Sequence, residues 1–270
     1  MSVKCRLGVD ERDSYAFAAD FVGEVADRGG VGRFVVHARS ALLDGLSPEQ
    51  NRTIPPLRHE RVRALARDFP SLALSANGGL GGAHAVAAEM ARGGGALPPL
   101  EGGMVGRGAW RAPWEALGDA DRAVHGLPNR CESRRALLHA YGEYCEAAQA
   151  RFDVKADGHE VPSARVLLRP VLNLFKGEAG TGRYKRLLDE ELRAAPRVRA
   201  RDAMLRAAEA CIADEVLDAP PCESATARAA RGEAARPAVL SIAPGEWEAQ
   251  APPPPCARGA RANEAAALSA

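Results

Sequence analysis

Over residues 1–117, short and nearly continuous apolar runs alternate with amphipathic stretches, the pattern of buried parallel strands separated by helices. Val3 to Leu7 reads as a strand that ends at Gly8. Asp13 or Ser14 caps a helix whose apolar face is Phe17, Phe21, Val22 and Val25, and Gly29-Gly30 stops it. Phe34-Val35-Val36-His37 reads as a second strand. Pro55-Pro56 then leads into a helix with Val62, Leu65, Ala66 and Phe69 on one face, ended by Pro70. Leu72 to Ala76 is the third strand, with Asn77-Gly78-Gly79 at its C-terminal end, and Ala83 to Ala91 is a short helix. Gly93 to Gly102 loops out before a fourth strand, Gly103 to Val105.

After Trp114 the alternation stops. Residues 134–150 read as a helix that turns Leu137, Leu138, Tyr141, Tyr144 and Cys145 inwards. Further helices are expected over 162–175, 181–193 and 201–217, together a compact all-α domain. Pro170 lies inside the second of these, where it should kink the helix at a cost of ~3 kcal/mol unless packing compensates. From Ala219 the chain is Ala, Pro, Arg and Glu with little periodicity, including Pro252 to Pro255, and reads as a disordered tail. The expected boundaries are therefore 1–117, 118–217 and 218–270.

Composition changes this picture little. Hydrophobic residues make up 46% of the 270, enough for an ordinary core. The net charge of +1 argues against a protein that coats nucleic acid non-specifically, and leaves room for a local basic face. The six cysteines, at 5, 131, 145, 211, 222 and 256, form no CxxC pair and have no His at metal-ligand spacing, so no metal site is expected. Scattered single thiols point to a reducing compartment. With no signal peptide at Met1 and no apolar run of the ~18 residues a bilayer needs, the expectation is a soluble, cytoplasmic protein, or an organellar one if the N-terminus is truncated.

Candidate chemistry sits at the C-terminal ends of the four strands, the face where (β/α) barrels keep their active sites. Lys4, His37, Asn77-Gly78-Gly79 and Gly106-Arg107 fall there. Singly each says little: Lys4 reads equally as a surface lysine, a His closing a strand is more often a satisfied core histidine, and Gly-Gly is usually a turn. Together they offer glycine backbones that can approach a phosphate, a guanidinium fork, and a lysine and histidine along the mouth. That set suits a flavin mononucleotide, whose reduced ring carries negative charge that a lysine would stabilise.

Val3-Lys4-Cys5-Arg6-Leu7-Gly8, Val36-His37-Ala38-Arg39, Gly45-Leu46-Ser47-Pro48, Asn51-Arg52, Ile54-Pro55-Pro56-Leu57, Ser75-Ala76-Asn77-Gly78-Gly79 and Met104-Val105-Gly106-Arg107-Gly108-Ala109 follow in this order. They resemble the second half of a tRNA-dihydrouridine synthase, of the branch acting on D-loop uridines 20 and 20a. Leu168-Arg169-Pro170, Leu174-Phe175-Lys176-Gly177 and Gly182-Arg183-Tyr184-Lys185-Arg186-Leu187 resemble that branch's C-terminal domain, so the resemblance runs over residues 2–217. It implies that Lys4, His37, Asn77, Gly78, Gly79, Gly106 and Arg107 contact FMN. It further implies that NADPH reduces the flavin, which passes a hydride to C6 of a flipped-out uracil. Arg39, Asn51, Arg52, Arg169, Arg183 and Arg186 would meet the tRNA. Arg183 and Arg186 also stand at i, i+3 on one helix face, able to track phosphates.

The pattern departs from the family in its extent. A complete barrel has eight strands in ~250 residues, and about four are found here. The family's first half supplies a Pro-Met strand, a glutamine ligand and an Asn-x-x-Cys-Pro loop whose cysteine protonates the uracil carbon opposite the hydride. No Asn-x-x-Cys-Pro occurs in this sequence, and Cys5 lies within a strand. The expectation is a partial (β/α) TIM-type barrel followed by a helical domain, with no catalytic residue of its own. A missing N-terminal half or self-association would complete it. The alternatives are a catalytically inactive fragment that binds tRNA or a partner subunit, and another FMN barrel oxidoreductase acting on a small molecule.

Overall fold

Alternation of the strand sequences sets the architecture of the N-terminal part. In the computed structural model, which describes residues 1–92, 98–151, 162–194 and 198–221, four parallel strands form one sheet in the order β1-β2-β3-β4. They are β1 Ser2–Arg6, β2 Arg33–His37, β3 Ala73–Asn77 and β4 Gly102–Met104. Between them lie α1 Tyr15–Gly29, α2 His59–Asp68 and α3 Ala83–Ala91. Phe34, Val36, Leu74 and Ala76, at alternate positions, are buried, and so are Ala18, Ala19 and Val22 of α1 and Val62 and Leu65 of α2. Each large apolar side chain among them contributes ~1.5–3 kcal/mol by leaving water.

The chain divides into two compact units. The first takes in the described residues within 1–79 and 89–104, and the second those within 80–88 and 105–221. The described residues of the second unit form helices and turns. They are α4 Arg107–Arg111, α5 Pro113–Leu117, α6 Ala120–His125, α7 Arg134–Arg151, α8 Ala164–Leu167, α9 Thr181–Ala194, α10 Ala200–Cys211 and α11 Asp214–Leu217. Their core joins Trp114, Leu138, Cys145, Leu168, Phe175, Tyr184, Leu188 and Met204, with Phe175 edge-on to Tyr184 at 5.0 Å. Arg134 is buried in the same unit. It donates to the Leu174 and Val216 carbonyls at 3.3 and 3.2 Å, pairs with Glu178 and Glu115 at 2.9 and 3.4 Å, and lies 5.2 Å above the Trp114 ring.

Several elements differ from the sequence expectation. Ser14 caps α1 by accepting from the Phe17 amide, and Gly30 ends it in the left-handed region, as the pattern required. The buried face of α1 is instead Tyr15, Ala18, Ala19 and Val22, with Phe21 40% exposed. Small alanines let this helix pack closely, and the Tyr15 hydroxyl donates to Asp68 at 2.5 Å. The single helix expected over 162–175 is α8 followed by a 3₁₀ turn, Arg169–Val171, because Pro170 has no N–H to continue the ladder. The helix expected over 201–217 breaks at Ile212, whose backbone is extended and whose side chain is buried, giving α10 and α11. Tyr144 faces solvent rather than the core. The three short helices α4 to α6 had no periodic signal. Of the expected tail, 219–221 are described with Pro221 buried, and 222–270 lie outside the described residues, as do 93–97 of the Gly93–Gly102 loop.

Candidate functional site

Parallel register aligns the C-terminal ends of the strands into rows. Arg6 pairs with His37, His37 with Asn77, and Asn77 with Met104. Two residues back, Lys4, Val35, Ser75 and Gly102 make the next row, and by strand alternation both rows share one face. A Cβ at Gly102 would stand 3.2 Å from Ser75 Oγ, as neighbours on one face should. This face is the more open one: Lys4 is exposed and Met104 is 39% exposed, whereas the opposite face carries Phe34, Val36, Leu74 and Ala76. Lys4, which reads from the sequence equally as a surface lysine or a ligand, stands on the open side, with no ion pair among the described residues. Cys5 points to the covered side, where burial pushes its thiol up to about 11 against the pull of Lys4.

The loop after β3 closes over His37. Asn77 Nδ2 donates to the Met104 carbonyl at 2.8 Å, and the Asn77 carbonyl accepts from the Ala38 amide at 2.9 Å. Gly78, at φ +100°, approaches so closely that a Cβ there would stand 2.5 Å from His37 Cδ2. Gly79 follows at φ +71° against Leu57. The structure thus brings His37, Asn77, Gly78 and Gly79 to the C-terminal edge of one sheet, with Lys4 two residues back from that edge, in the middle of β1 and on the face of His37 and Asn77. It also shows that glycine at 78 is already demanded by the histidine ring.

Beneath this loop lies a buried group that sequence reasoning missed. Arg63 and Glu89 form an ion pair, and the Arg63 guanidinium also donates to the Glu89 backbone carbonyl at 3.1 Å. His59 Nδ1 lies 3.5 Å from Glu89 Oε1 without a hydrogen bond. Burial holds the His59 imidazole below its usual range, against the charge of Glu89 and the backbone of Gly78. Three polar residues on an otherwise amphipathic pair of helices gave no sequence signal of meeting here.

The loops after β1 and β2 are tied by charge. Asp13 accepts from Ser40, Arg58 and Arg61, the last at 3.0 Å. Arg6 Nη1 donates to the Ser40 and Asn51 carbonyls at 2.9 and 3.0 Å. Asn51 brackets its own loop, its Oδ1 accepting from the Leu42 amide at 2.8 Å while its Nδ2 donates back to the Leu42 carbonyl. Arg39 donates to the Pro55 carbonyl. Of the three residues expected to meet RNA in this region, Arg39 and Asn51 are engaged in shaping the loop, and Arg52 is exposed.

In the second unit, Gly106 and Arg107 open α4, and a Cβ at Gly106 would meet nothing within 4 Å. Arg169, Arg183 and Arg186 are exposed. In α9 the buried residues are Tyr184 and Leu188, so Arg183 and Arg186 project away from them. Cys145 is fully buried, its thiol raised to about 11 by that burial. No cluster of three His, Cys, Asp or Glu able to hold a metal ion occurs among the described residues, and no helix there is long and apolar enough to cross a membrane.

Residues 1–209 match the dihydrouridine synthase (Dus) family. The chain is 36% identical over 193 residues to a tRNA-dihydrouridine(20/20a) synthase of Shigella flexneri, covering 70% of this chain and 51% of that protein. It is 34% identical over 190 residues to the protein of the same description from Vibrio cholerae, covering 70% and 53%. With that of Salmonella typhi it shares 36% over 215 residues, covering 80% and 59%. The chain therefore spans about half the length of these relatives.

Proposed function

The chain belongs to the dihydrouridine synthase family, and from that premise we propose that it serves the FMN- and NADPH-dependent reduction of uridine to dihydrouridine in the tRNA D-loop. The observation that carries this reading is the shared sheet face of Lys4, His37 and Asn77, closed by the Gly78-Gly79 turn at its C-terminal edge. The residues present fit a flavin phosphate and ring. Gly79 and Gly106 are exposed backbone without side chains, and Lys4 is an exposed cation outside any ion pair among the described residues.

When bound, FMN supplies the hydride for uracil C6, renewed from NADPH. Lys4 provides positive charge for an electron-rich ring system. His37 and Asn77 line the same edge. The Asn77 amide, which donates to the Met104 carbonyl, fixes the ends of β3 and β4. Gly78 and Gly79 present backbone amides to an anion, and Gly106 and Arg107 of the second unit are carried as cofactor contacts by the family resemblance alone. Arg39, Asn51, Arg52, Arg169, Arg183 and Arg186 are assigned to tRNA on the same ground. Exposure of Arg52, Arg169, Arg183 and Arg186 supports that role.

In this reading residues 1–117 are the C-terminal half of an FMN-binding (β/α) barrel, 118–217 a tRNA-binding helical domain and 218–270 a tail, working in the cytoplasm. No Asn-x-x-Cys-Pro is found in the 270 residues, and Cys5 faces away from Lys4. In this reading the proton for the uracil carbon comes from a partner polypeptide that carries such a cysteine; a second copy of this chain would cover the open sheet face but brings no Asn-x-x-Cys-Pro. That same observation favours the second reading, a catalytically inactive chain that binds tRNA.

The test is to express the full chain and measure FMN binding, tRNA binding and dihydrouridine formation. We expect weak FMN binding that Lys4→Ala weakens further, measurable tRNA binding, and no dihydrouridine from this chain alone. Failure to bind either FMN or tRNA would sink the family-based function. Dihydrouridine from the chain alone would overturn the borrowed proton donor.

A further inference from the structure

Trp110 stands in α4 with 57% of its surface exposed, while Trp114, four residues on, is 1% exposed. An indole left in water beside one used in the core calls for a reason. The Trp110 backbone is pinned: its carbonyl accepts from Asn173 Nδ2 at 2.9 Å, and Asn173 Oδ1 in turn accepts from Lys185 Nζ at 2.7 Å. This chain of bonds ties α4 to the turn after Val171 and to α9, within one unit.

The tether leads into a cationic strip. Asn173 lies between Arg169 and Lys176 in sequence, and Lys185 between Arg183 and Arg186. All four of these flanking cations are exposed and, among the described residues, none is in an ion pair. Other arginines of the unit are neutralised: Arg165 and Arg193 by Asp189, Arg201 by Glu146 and Arg206 by Glu191. Arg169, Lys176, Arg183 and Arg186 stay outside those pairs, and Asn173, which lies between the first two in sequence, holds the Trp110 backbone.

We propose that Trp110 is a stacking platform for an unpaired RNA base whose neighbouring phosphates are held by Arg169, Lys176, Arg183 and Arg186. Loop nucleotides offer free π-faces and duplex nucleotides do not, so the ligand class is single-stranded or loop RNA. An indole face stacks on any base, which gives affinity without sequence readout. The inference rests on the tRNA reading above and adds a base contact to a surface otherwise made of phosphate contacts.

The experiment uses the full chain, an unmodified tRNA transcript, and a perfect RNA duplex as the comparison. Tryptophan emission of the unmodified chain should be quenched by tRNA and far less by the duplex, and Trp110→Phe should remove that quenching while retaining most of the affinity. Trp110→Ala should weaken tRNA binding by about 5- to 150-fold. Its dependence on salt should be unchanged, because no phosphate contact is lost. If the Ala variant fails to fold, the quenching and the Phe variant decide the matter. Unchanged affinity in Trp110→Ala, with tRNA still bound, overturns the platform and leaves the tRNA reading standing. Loss of self-association with RNA affinity intact assigns Trp110 to a protein interface and also overturns it. Absence of tRNA binding by the unmodified chain removes both readings.

Discussion

Gly78 lies against the imidazole of His37, with φ +100° and no room for a methyl: a Cβ would stand 2.5 Å from Cδ2 and 2.8 Å from Nε2 of that ring. Two costs therefore fall on Gly78→Ala. A positive φ costs an L-residue ~1–2 kcal/mol, and displacing the buried ring adds ~1–3 kcal/mol. We expect the variant to lose about 2–5 kcal/mol of stability in urea unfolding, together with its flavin affinity. His37→Ala in the same chain should recover the steric part and leave the backbone part, so the double variant should sit between the two.

Asp13 predicts the acid limit of the first unit. Burial works to raise its carboxyl, but hydrogen bonds from Ser40 and Arg58 and the charges of Arg58 and Arg61 outweigh it, holding the group below its ordinary 3.8. The unfolded chain therefore takes up this proton first as the pH falls. The stabilisation is fully present above ~pH 5 and is lost as the pH drops through ~4 and then through the folded value. Asp13→Asn should lower stability at neutral pH by about 1.5–3 kcal/mol, because two partly buried arginines lose the negative charge they share and one of its two acceptor oxygens. Its unfolding free energy should then fall less steeply below pH 4 than that of the unmodified chain. Urea midpoints across pH 3–7 measure both effects, and parallel curves would remove Asp13 from the acid response.

The strands were legible as short segments closed by glycine or histidine, which placed Lys4, His37 and Asn77 at strand ends; that these three share one face came only from the register of the sheet. The helix faces were harder. In α1 the alanines at 18 and 19 do the packing, and alanine carries too little hydrophobic contrast to mark a face. The break at Ile212 was hidden because the buried side chain continues the apolar pattern while its backbone leaves the helix. At the site, the pressure of His37 on Gly78 and the bracket of Asn51 on Leu42 depend on residues forty-one and nine positions apart meeting in space. No local pattern records such meetings.

Arg134 should be the most sensitive single position of the second unit. It is fully buried, and the carboxylates it serves, Glu115 and Glu178, are themselves only 10% and 14% exposed. Arg134→Ala leaves two acceptors without their cation and empties the space over Trp114, so a loss of ~3–5 kcal/mol is expected. Combining Arg134→Met with Glu115→Gln and Glu178→Gln should restore part of it, since an uncharged set of similar volume carries no unpaired charge. If Arg134→Ala unfolds in urea like the unmodified chain, the cluster is not what holds these helices.

Ion pairing sorts the arginines of the helical unit into two groups, and RNA binding should respect the division. Arg165 and Arg193 share Asp189, at 2.9 and 2.5 Å, so their charge is largely spent within the protein. Arg183 and Arg186 are exposed on α9 and enter no ion pair among the described residues. Arg183→Glu with Arg186→Glu should weaken tRNA binding most at low salt and flatten the plot of log K against log salt. Each lost phosphate contact removes about 0.7–0.9 from that slope. Flavin binding should be untouched. Arg165→Gln with Arg193→Gln should instead cost a few tenths to ~1 kcal/mol of stability and leave the slope close to that of the unmodified chain. Equal effects of the two double variants on RNA affinity would mean that the surface acts through net charge alone, and Arg183 and Arg186 would then be an ordinary solvated face.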